Sequence, residues 1–595
     1  MDFDRWQSLP AMLFDMARRR AKQPFLVHKR DGAWHPVDYR TAAERVSMLA
    51  RALVAEGIRP GDRVVLVAEN RPEWVIADFA IMAAGAVTVP AYVTYTVADH
   101  VHILANSGAR AAIVSSAALM QRLASAAAQT AGLRFLVAID PPGAQLQSPV
   151  PVRAWDDLLA QGAALPDDVA DRVAGIARDD VACIIYTSGT GGVPKGVMLS
   201  HGNILANAEG AWHALLTLGV EDETFLSFLP MSHSYEHTAG TMFPISIGAQ
   251  IWFAQGAETL GADMLDARPT LMTAVPRLYE TLYARIRRGV ERQSPFRRRL
   301  FELALALGRK RATAPGSLTL WERMQDLVVE RLVRDKMRAR FGGRLKALVS
   351  GGAPLNPDVG LFFTALGLRL LQGYGQTEAS PVIAVNTPTA PRLHTVGPAL
   401  HGVEIRIAED GEILVRGANV MKGYWQDPEA TAATIVDGWL HTGDVGHLEA
   451  DGYLVITDRK KDFIKNAGGD MIAPQRIEGL LTLEPLVAQA IVHGDRRPYL
   501  VALLVPDEER AKEWAGEHGK PKDLRLLVDD EAFRKAVGEA VGRVNAGLPA
   551  IERVRRWTLV ADPFSVPNGL LTPTFKIRRH RIREVYGTLL DRLYD

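Results

Sequence analysis

Short apolar runs separated by longer stretches of helical spacing recur along the first 400 residues. Positions 63–68, 87–92, 111–115 and 135–139 each read as a strand, and helix-like stretches fill most of the gaps between them. The rhythm continues through 181–186, 224–229, 250–254, 271–275 and 345–349. Strands alternating with helices predict an α/β chain whose largely parallel sheets are covered on both faces. Ligands of such sheets gather at the carboxyl ends of strands. The longest apolar stretch, 74–93, contains Asp78 and Pro90 and breaks at Gly85. That suits a helix followed by a strand better than a membrane span of ~20 uninterrupted apolar residues.

The pattern changes twice further on. Residues 285–341 predict long, basic, amphipathic helix with a break at 314–316. A basic amphipathic helix can touch anionic lipid, but this stretch also carries Asp and Glu, so a solvated helical pair is the preferred reading. From about residue 400, runs at 403–407 and 412–416, joined through Glu409-Asp410-Gly411, predict a hairpin and a small β subdomain. Beyond Asp458 the chain becomes a smaller α+β unit with one hairpin (488–492 and 500–505), two helices and a basic tail. The expected division is a large domain over 1–457, carrying the helical insertion at about 285–341, a linker at 458–461, and a small C-terminal domain over 462–595.

Composition narrows the class. Lys and Arg number 69 against 68 Asp and Glu, so no global field points to nucleic acid or an anionic membrane. An apolar content of 48% with 23% charged residues is that of a soluble globular enzyme. The single cysteine, Cys183, excludes an internal disulfide framework and fits a reducing compartment. Its place inside an apolar strand makes it a small buried hydrophobe rather than a nucleophile. The start, MDFDRWQSLP, lacks the layout of a signal peptide, so the expected location is cytoplasmic, with peripheral contact at the inner face of a membrane left open.

The densest chemistry lies at 186–201, YTSGTGGVPKGVMLSH. Thr187, Ser188, Gly189, Thr190, Gly191 and Gly192 lead to Lys195-Gly196, following the apolar run 181–185. Glycines bring backbone N–H groups close to an anion, and hydroxyls with one ammonium complete a phosphate cradle. The GxxxxGK spacing of the common nucleotide loop is absent. The order of residues resembles the phosphate loop of the AMP-forming adenylating enzymes, Y/F-T-S-G-T-T-G-x-P-K-G. Gly191 replaces the usual Thr, which removes a hydroxyl and is expected to change nucleotide affinity rather than abolish activity.

Further segments follow in the order that this resemblance requires: SGGAPL at 350–355, QGYGQTE at 372–378, WLHTGD at 439–444, DRKKD at 458–462 with Gly468-Gly469 after it, and LTPTFK at 571–576. Together they identify the chain as resembling the acyl-activating, adenylate-forming superfamily over essentially its full length. FLPMSHSYEH at 228–237 resembles the LPLxHxxE pattern of the long-chain acyl-CoA synthetase branch, as do NRPEW at 70–74, VPRLYE at 275–280 and the helical insertion after Glu280. His237 stands where long-chain members often carry Arg.

The resemblance implies an ATP-dependent long-chain fatty acid:CoA ligase that forms an acyl adenylate and then acyl-CoA, releasing AMP and pyrophosphate. Its alternatives are loading of an acyl carrier protein from the same adenylate, or a catalytically silent nucleotide- or lipid-binding relative. ATP, Mg²⁺ and coenzyme A are implied, with a fatty acid and no nucleic acid as partners, and a homodimer is left open. By resemblance Thr187, Ser188, Gly189, Thr190, Gly192 and Lys195 hold phosphates, and Glu378 with Thr190 holds the metal. Thr377 orients the α-phosphate. Gly351, Gly352, Ala353, Gln372, Gly373, Tyr374 and Gly375 surround the nucleotide, Asp444 accepts the ribose hydroxyls, and Arg459 is its cationic companion. Lys576 bridges carboxylate and phosphate during adenylation. Lys461 is the pivot on which the small domain swings, after which Gly468 and Gly469 meet the pantetheine arm. His233 and Glu236 belong to the acyl site, and the Ala-, Leu- and Phe-rich segment 235–253 is expected to line an apolar tunnel. Such a tunnel gains about 0.8 kcal/mol per buried CH₂.

Overall fold

The computed structural model describes residues 1–187, 193–468, 470–572 and 576–595. Two eight-stranded sheets dominate the large N-terminal domain. One runs in the order Val382–Val385, Leu370–Gly375, Ala347–Ser350, Leu271–Ala274, Thr224–Ser227, Gln250–Phe253, Pro24–Arg30 and Ala33–Asp38. Its inner pairs are parallel and its two end pairs antiparallel. The other runs Gly423–Tyr424, Lys195–Ser200, Val181–Thr187, Val87–Pro90, Arg63–Val67, Ala111–Val114, Phe135–Ala138 and Val152–Ala154. All nine apolar runs form strands, with ends displaced by at most two residues.

These runs are legible because a strand covered on both faces has no polar alternation to satisfy. Helix Pro72–Ala83 is buried at every residue except Glu73 and packs in one core with residues of both sheets, while the strand Val87–Pro90 follows it, as the break at Gly85 predicts. Among the described residues no helix is long and apolar enough to cross a membrane. Cys183 is fully buried on its strand, where loss of solvent pushes the thiol pKa up, away from thiolate chemistry.

Several expectations need correction. The strand before the glycine segment, Val181–Thr187, pairs in parallel with Val87–Pro90 as expected, but its other neighbour, Lys195–Ser200, is antiparallel to it, with Thr187 opposite Lys195. The helical region after Glu280 breaks at two places rather than one. Helix Pro276–Glu291 ends before Ser294, whose extended backbone precedes Pro295, and helix Pro295–Thr313 starts anew there. A residue before proline is driven out of helical geometry, which the periodicity alone hides.

The hairpin Val403–Ile407 and Glu412–Gly417 forms as expected and belongs to a five-stranded sheet with Trp439–Leu448 and Leu454–Arg459. In the smaller C-terminal domain, Val487–His493 and Leu500–Pro506 form the expected hairpin. A third strand, Val554–Leu559, adds in parallel beside it, and there are more than the two expected helices. The basic tail is itself a helix, Arg579–Asp591, whose Ile582 and Leu590 are buried against the sheet.

Candidate active site

A continuous cavity of about 2520 Å³ lies where the carboxyl ends of the large-domain strands meet the small domain. Thr187, Lys195, His233, Gly351, Gly352, Ala353, Gly373, Tyr374, Gly375, Thr377, Glu378, Asp444, Arg459, Lys461 and Lys576 all line it. Ser188, Gly189, Thr190, Gly192 and Gly469 lie outside the described residues. Three expected site residues sit elsewhere. Gln372 is buried within its strand, Glu236 is enclosed in the core, and Gly468 is on an exposed turn; none of them lines the cavity.

The polar wall is organised around two carboxylates. Asp444 lies opposite Arg459 in the antiparallel register of two neighbouring strands. Its Oδ1 is 3.2 Å from Arg459 Nε, and its Oδ2 accepts a 2.6 Å hydrogen bond from the Tyr374 hydroxyl. Burial raises the Asp444 carboxyl above the ordinary range against the pull of Arg459. Glu378 follows the strand Leu370–Gly375 and accepts a 2.9 Å hydrogen bond from the Tyr424 hydroxyl. The Lys195 ammonium sits 5.0 Å from the centre of the Tyr424 ring and 3.5 Å from Asp427. The loop carrying Glu378 is held from behind, since Asn419 and Asn207 amides donate to the Ala379 and Val382 carbonyls. Thr377 shares a 2.9 Å hydroxyl contact with Ser234, which ties this loop to the 228–237 segment.

Gly351 and Gly352 have separate reasons to be glycine. A Cβ at 351 would lie 3.0 Å from the Tyr235 ring, and 352 adopts φ +83°. The Tyr235 hydroxyl in turn donates to the Val349 carbonyl at 3.0 Å.

Lys576 arrives from the small domain. Thr572 N donates to the Lys576 carbonyl at 2.8 Å and Lys576 N donates to Thr572 Oγ1 at 3.0 Å. Burial and the nearby Arg459 lower the ammonium pKa from 10.5 to about 8, partly opposed by Asp444 and Glu378. Three residues on, Arg579 makes a bidentate pair with Glu478 at 2.8 and 2.6 Å, and Glu478 also accepts from Val492 N at 2.7 Å. That pair fixes the start of the last helix and with it the approach of Lys576. Asp458, buried at the linker, is pushed up to about 6. The small domain is seated on the large one through Arg277 donating to the Ala488 carbonyl at 3.0 Å, and through Arg292–Glu513 at 3.0 Å and Arg510–Glu291 at 2.9 Å.

His233 is the one polar group at the junction with the apolar arm that the sequence also singled out. Its Nδ1 accepts from Tyr235 N at 3.1 Å, and burial beside Lys576 drops its pKa to about 3. The ring is therefore neutral, with its proton on Nε2. Toward the insertion the lining becomes mainly apolar, with Phe228, Phe243, Leu282, Ile286, Phe301 and Met337, and the basic side chains Arg285, Arg297, Lys336 and Arg340 join this apolar arm. The segment 235–253 supplies only the near part of this wall.

Glu236 and His237 lie behind the wall, on a π-helical turn, Glu236–Met242. The Glu236 carboxyl accepts from Thr273 Oγ1 at 2.6 Å, and burial holds it up at about 7. A side chain at position 240 would collide with it, since a Cβ there would be 2.4 Å away. His237 Nε2 meets Asp78 at 2.9 Å, both fully buried, and the ring lies edge-on to Trp74. The exchange of Arg for His at this position thus alters a core pair rather than the cavity wall.

Sequence reasoning missed Tyr424, Ser234, Asp427 and Arg579. The run Gly423-Tyr424-Trp425 beyond the hairpin is the one local signal for Tyr424, and nothing local ties it to Glu378, 46 positions earlier.

Residues 13–425 match the AMP-binding enzyme family and residues 461–595 the AMP-binding enzyme C-terminal domain. This chain belongs to the AMP-binding enzyme family. It is 33% identical to long-chain-fatty-acid–CoA ligase FadD15 of Mycobacterium bovis, with 99% of this chain and 97% of that protein covered. It is 34% identical to the peroxisomal long chain acyl-CoA synthetase 6 of Arabidopsis thaliana (95% and 82%) and 32% identical to human long-chain-fatty-acid–CoA ligase 6 (97% and 84%). Among solved structures, the adenylation domain of the carboxylate reductase of Mycobacterium chelonae superposes with a TM-score of 0.78 at 23% identity, covering 99% of this chain and 91% of that one. The anthranilate CoA ligase AuaEII in complex with anthranoyl-AMP gives 0.74 at 20%, covering 99% of each chain. Those two likenesses concern the fold.

Proposed function

We propose that this chain is an ATP-dependent long-chain fatty acid:CoA ligase, forming an acyl adenylate and then the thioester. The observation that carries the reading is the single cavity in which a wall of cations and carboxylates meets an apolar arm at Lys576 and His233. Full-length relatives named long-chain-fatty-acid–CoA ligases support the same substrate class.

The chemistry follows from charge. An acyl carboxylate oxygen attacks the α-phosphorus of ATP, the bond to the β-phosphate oxygen breaks, and pyrophosphate leaves. Two anions must approach in line, so positive groups held in advance lower the barrier. Lys576, incompletely neutralised by its neighbours, bridges the acyl oxygen and the α-phosphate, while Lys195 meets the outer phosphates. Asp444, accepting only, takes the ribose hydroxyls, and Tyr374 presents its ring to the base. His233 offers its Nε2 proton to the acyl oxygen. In the second step the thiol sulfur of CoA attacks the acyl carbonyl, the carbon–oxygen bond to AMP breaks, and the thiol proton passes to solvent.

Glu378 lines the cavity beside Tyr424, and no cluster of three or more His, Cys, Asp or Glu among the described residues would cage a metal. That donor set fits magnesium, which takes one carboxylate plus phosphate oxygens and water. When bound, the ion would offset phosphate charge.

Lys461 is read as the pivot between the domain over 1–457 and that over 462–595, so that rotation withdraws Lys576 and brings Gly468 and Gly469 to the thiol channel. The acceptor is tested by supplying purified acyl adenylate with either CoA or an acyl carrier protein. Turnover with CoA supports the reading, and turnover with the carrier protein alone overturns it.

A further inference from the structure

Helix Leu320–Val329 and the turns after it are packed with their polar side inward. Glu322 accepts from Lys310 at 2.7 and 2.8 Å, Asp326 meets Arg334 at 2.7 Å, and Glu330 meets Arg334 at 2.9 Å. Arg334 itself is fully buried. The acidic residues that favour a solvated helical pair in the sequence are therefore occupied on the inner side of the insertion.

The apolar side faces out. Leu320 is 80% exposed, Trp321 65% and Leu327 73%, with Met324, Val328 and Leu332 exposed beside them. These positions recur at helical spacing and form one face. Exposed leucines scattered singly need no explanation, but a contiguous apolar face with a tryptophan marks an interface. Across the insertion, Phe296 is 72% exposed and opens an exposed run, Phe296-Arg297-Arg298-Arg299. Arg298, Arg299, Arg323 and Arg331 have no ion-pair partner among the described residues. Phe296 and Leu332 also line the main cavity, so its apolar arm reaches the surface beside this face.

We infer that this face docks on a bilayer containing anionic phospholipid, with the apolar side chains entering the acyl region and the unpaired arginines meeting phosphates. Three observations select a bilayer over a protein partner. The patch combines apolar residues and an amphipathic Trp with cations at its rim, the layout of an interfacial helix. The chain carries a formal net charge of only +1, so attraction to an anionic surface must be local, and here it is. The arm that opens next to the patch is apolar, and an apolar chain is concentrated in a bilayer rather than in water. Docking would let such a chain pass from lipid to the arm without crossing the aqueous phase.

The test uses the full-length protein and vesicle flotation without ATP or CoA, so its outcome is independent of the ligase reading. Vesicles of phosphatidylcholine alone are compared with vesicles containing phosphatidylglycerol. The expected result is partitioning stronger by about tenfold or more on the anionic vesicles, weakened by salt. The double substitution Trp321→Glu and Leu327→Glu should reduce partitioning by at least about tenfold on both compositions, and Arg298→Gln with Arg299→Gln should reduce it on the anionic vesicles alone. All four side chains are exposed and away from the cavity lining, so thermal stability and turnover of a dispersed soluble acid should be unchanged. Equal partitioning of wild type and the double Glu variant, or no partitioning of wild type, overturns the inference. A concentration-dependent dimer abolished by the same substitutions overturns it too, assigning the face to a second copy of the chain.

Discussion

Replacing Lys576 by Ala removes a buried ammonium whose environment does not fully pay its desolvation. The drop from 10.5 to about 8 corresponds to about 3 kcal/mol by which burial and Arg459 outweigh Asp444 and Glu378. An acyl carboxylate and an α-phosphate entering the cavity supply the missing counter-charge, and charge building between them in the transition state gains most. The substitution should then lower kcat/KM for adenylation about 10²–10³-fold, the range found when one stabilising donor is deleted. Thioester formation from supplied acyl adenylate and CoA should change by less than about threefold, because on the swinging-domain reading Lys576 is withdrawn in that step. Pyrophosphate release measures the first half-reaction and acyl-CoA formation the second. Equal losses in the two half-reactions, or a loss under about tenfold in the first, would refute this division of labour. The same lysine predicts a pH limb: in the free enzyme the ammonium is charged below about 8 and loses its proton above, so kcat/KM for adenylation should fall as pH rises through that value.

Tyr424→Phe keeps the ring under Lys195 but deletes the 2.9 Å hydrogen bond to Glu378, so KM for magnesium-ATP should rise about tenfold with the acid's KM unmoved; unchanged ATP kinetics would show that this hydroxyl does not set the carboxylate. Glu236 has a folded pKa of about 7, above its ordinary 4.5, so the stability that its neutral form contributes is complete below about 4.5 and is lost as pH rises through about 7. Glu236→Gln should accordingly gain about 1–3 kcal/mol relative to wild type between pH 5 and 8, read as a growing difference in melting temperature, and a pH-independent difference would contradict the burial argument. Lys461→Pro stiffens the linker, and should spare adenylation while suppressing thioester formation; normal overall turnover would remove the pivot role.

The parts of the fold that were legible in the sequence are those where one physical requirement acts locally. A doubly covered strand must be a short apolar run, and helix Pro72–Ala83 followed by Val87–Pro90 could be read from the Gly85 break alone. Thr187, Lys195, Glu378, Asp444 and Lys576 could be placed together at one cavity because Gly, Thr, Asp and Lys occur in those segments in a fixed order. Orientation was not legible. Gln372 belongs to the right strand but is buried away from the cavity, and Glu236 sits on a π-helical turn, where helical periodicity misplaces a side chain. The amphipathic pattern around Trp321 reveals two faces and is silent on which one packs inward; the pairs of Glu322, Asp326 and Glu330 with Lys310 and Arg334 decide that. Tyr424 and Ser234 act through contacts distant in the chain, which no single window of sequence contains.

Pyrophosphate release across acids of increasing chain length, with and without CoA, tests the central claim most directly. A cavity joining a charged nucleotide wall to a long apolar arm predicts kcat/KM that climbs with chain length, a single stoichiometric burst without CoA, and sustained turnover with it. Release that is indifferent to chain length, or absent with every acid, would contradict the account.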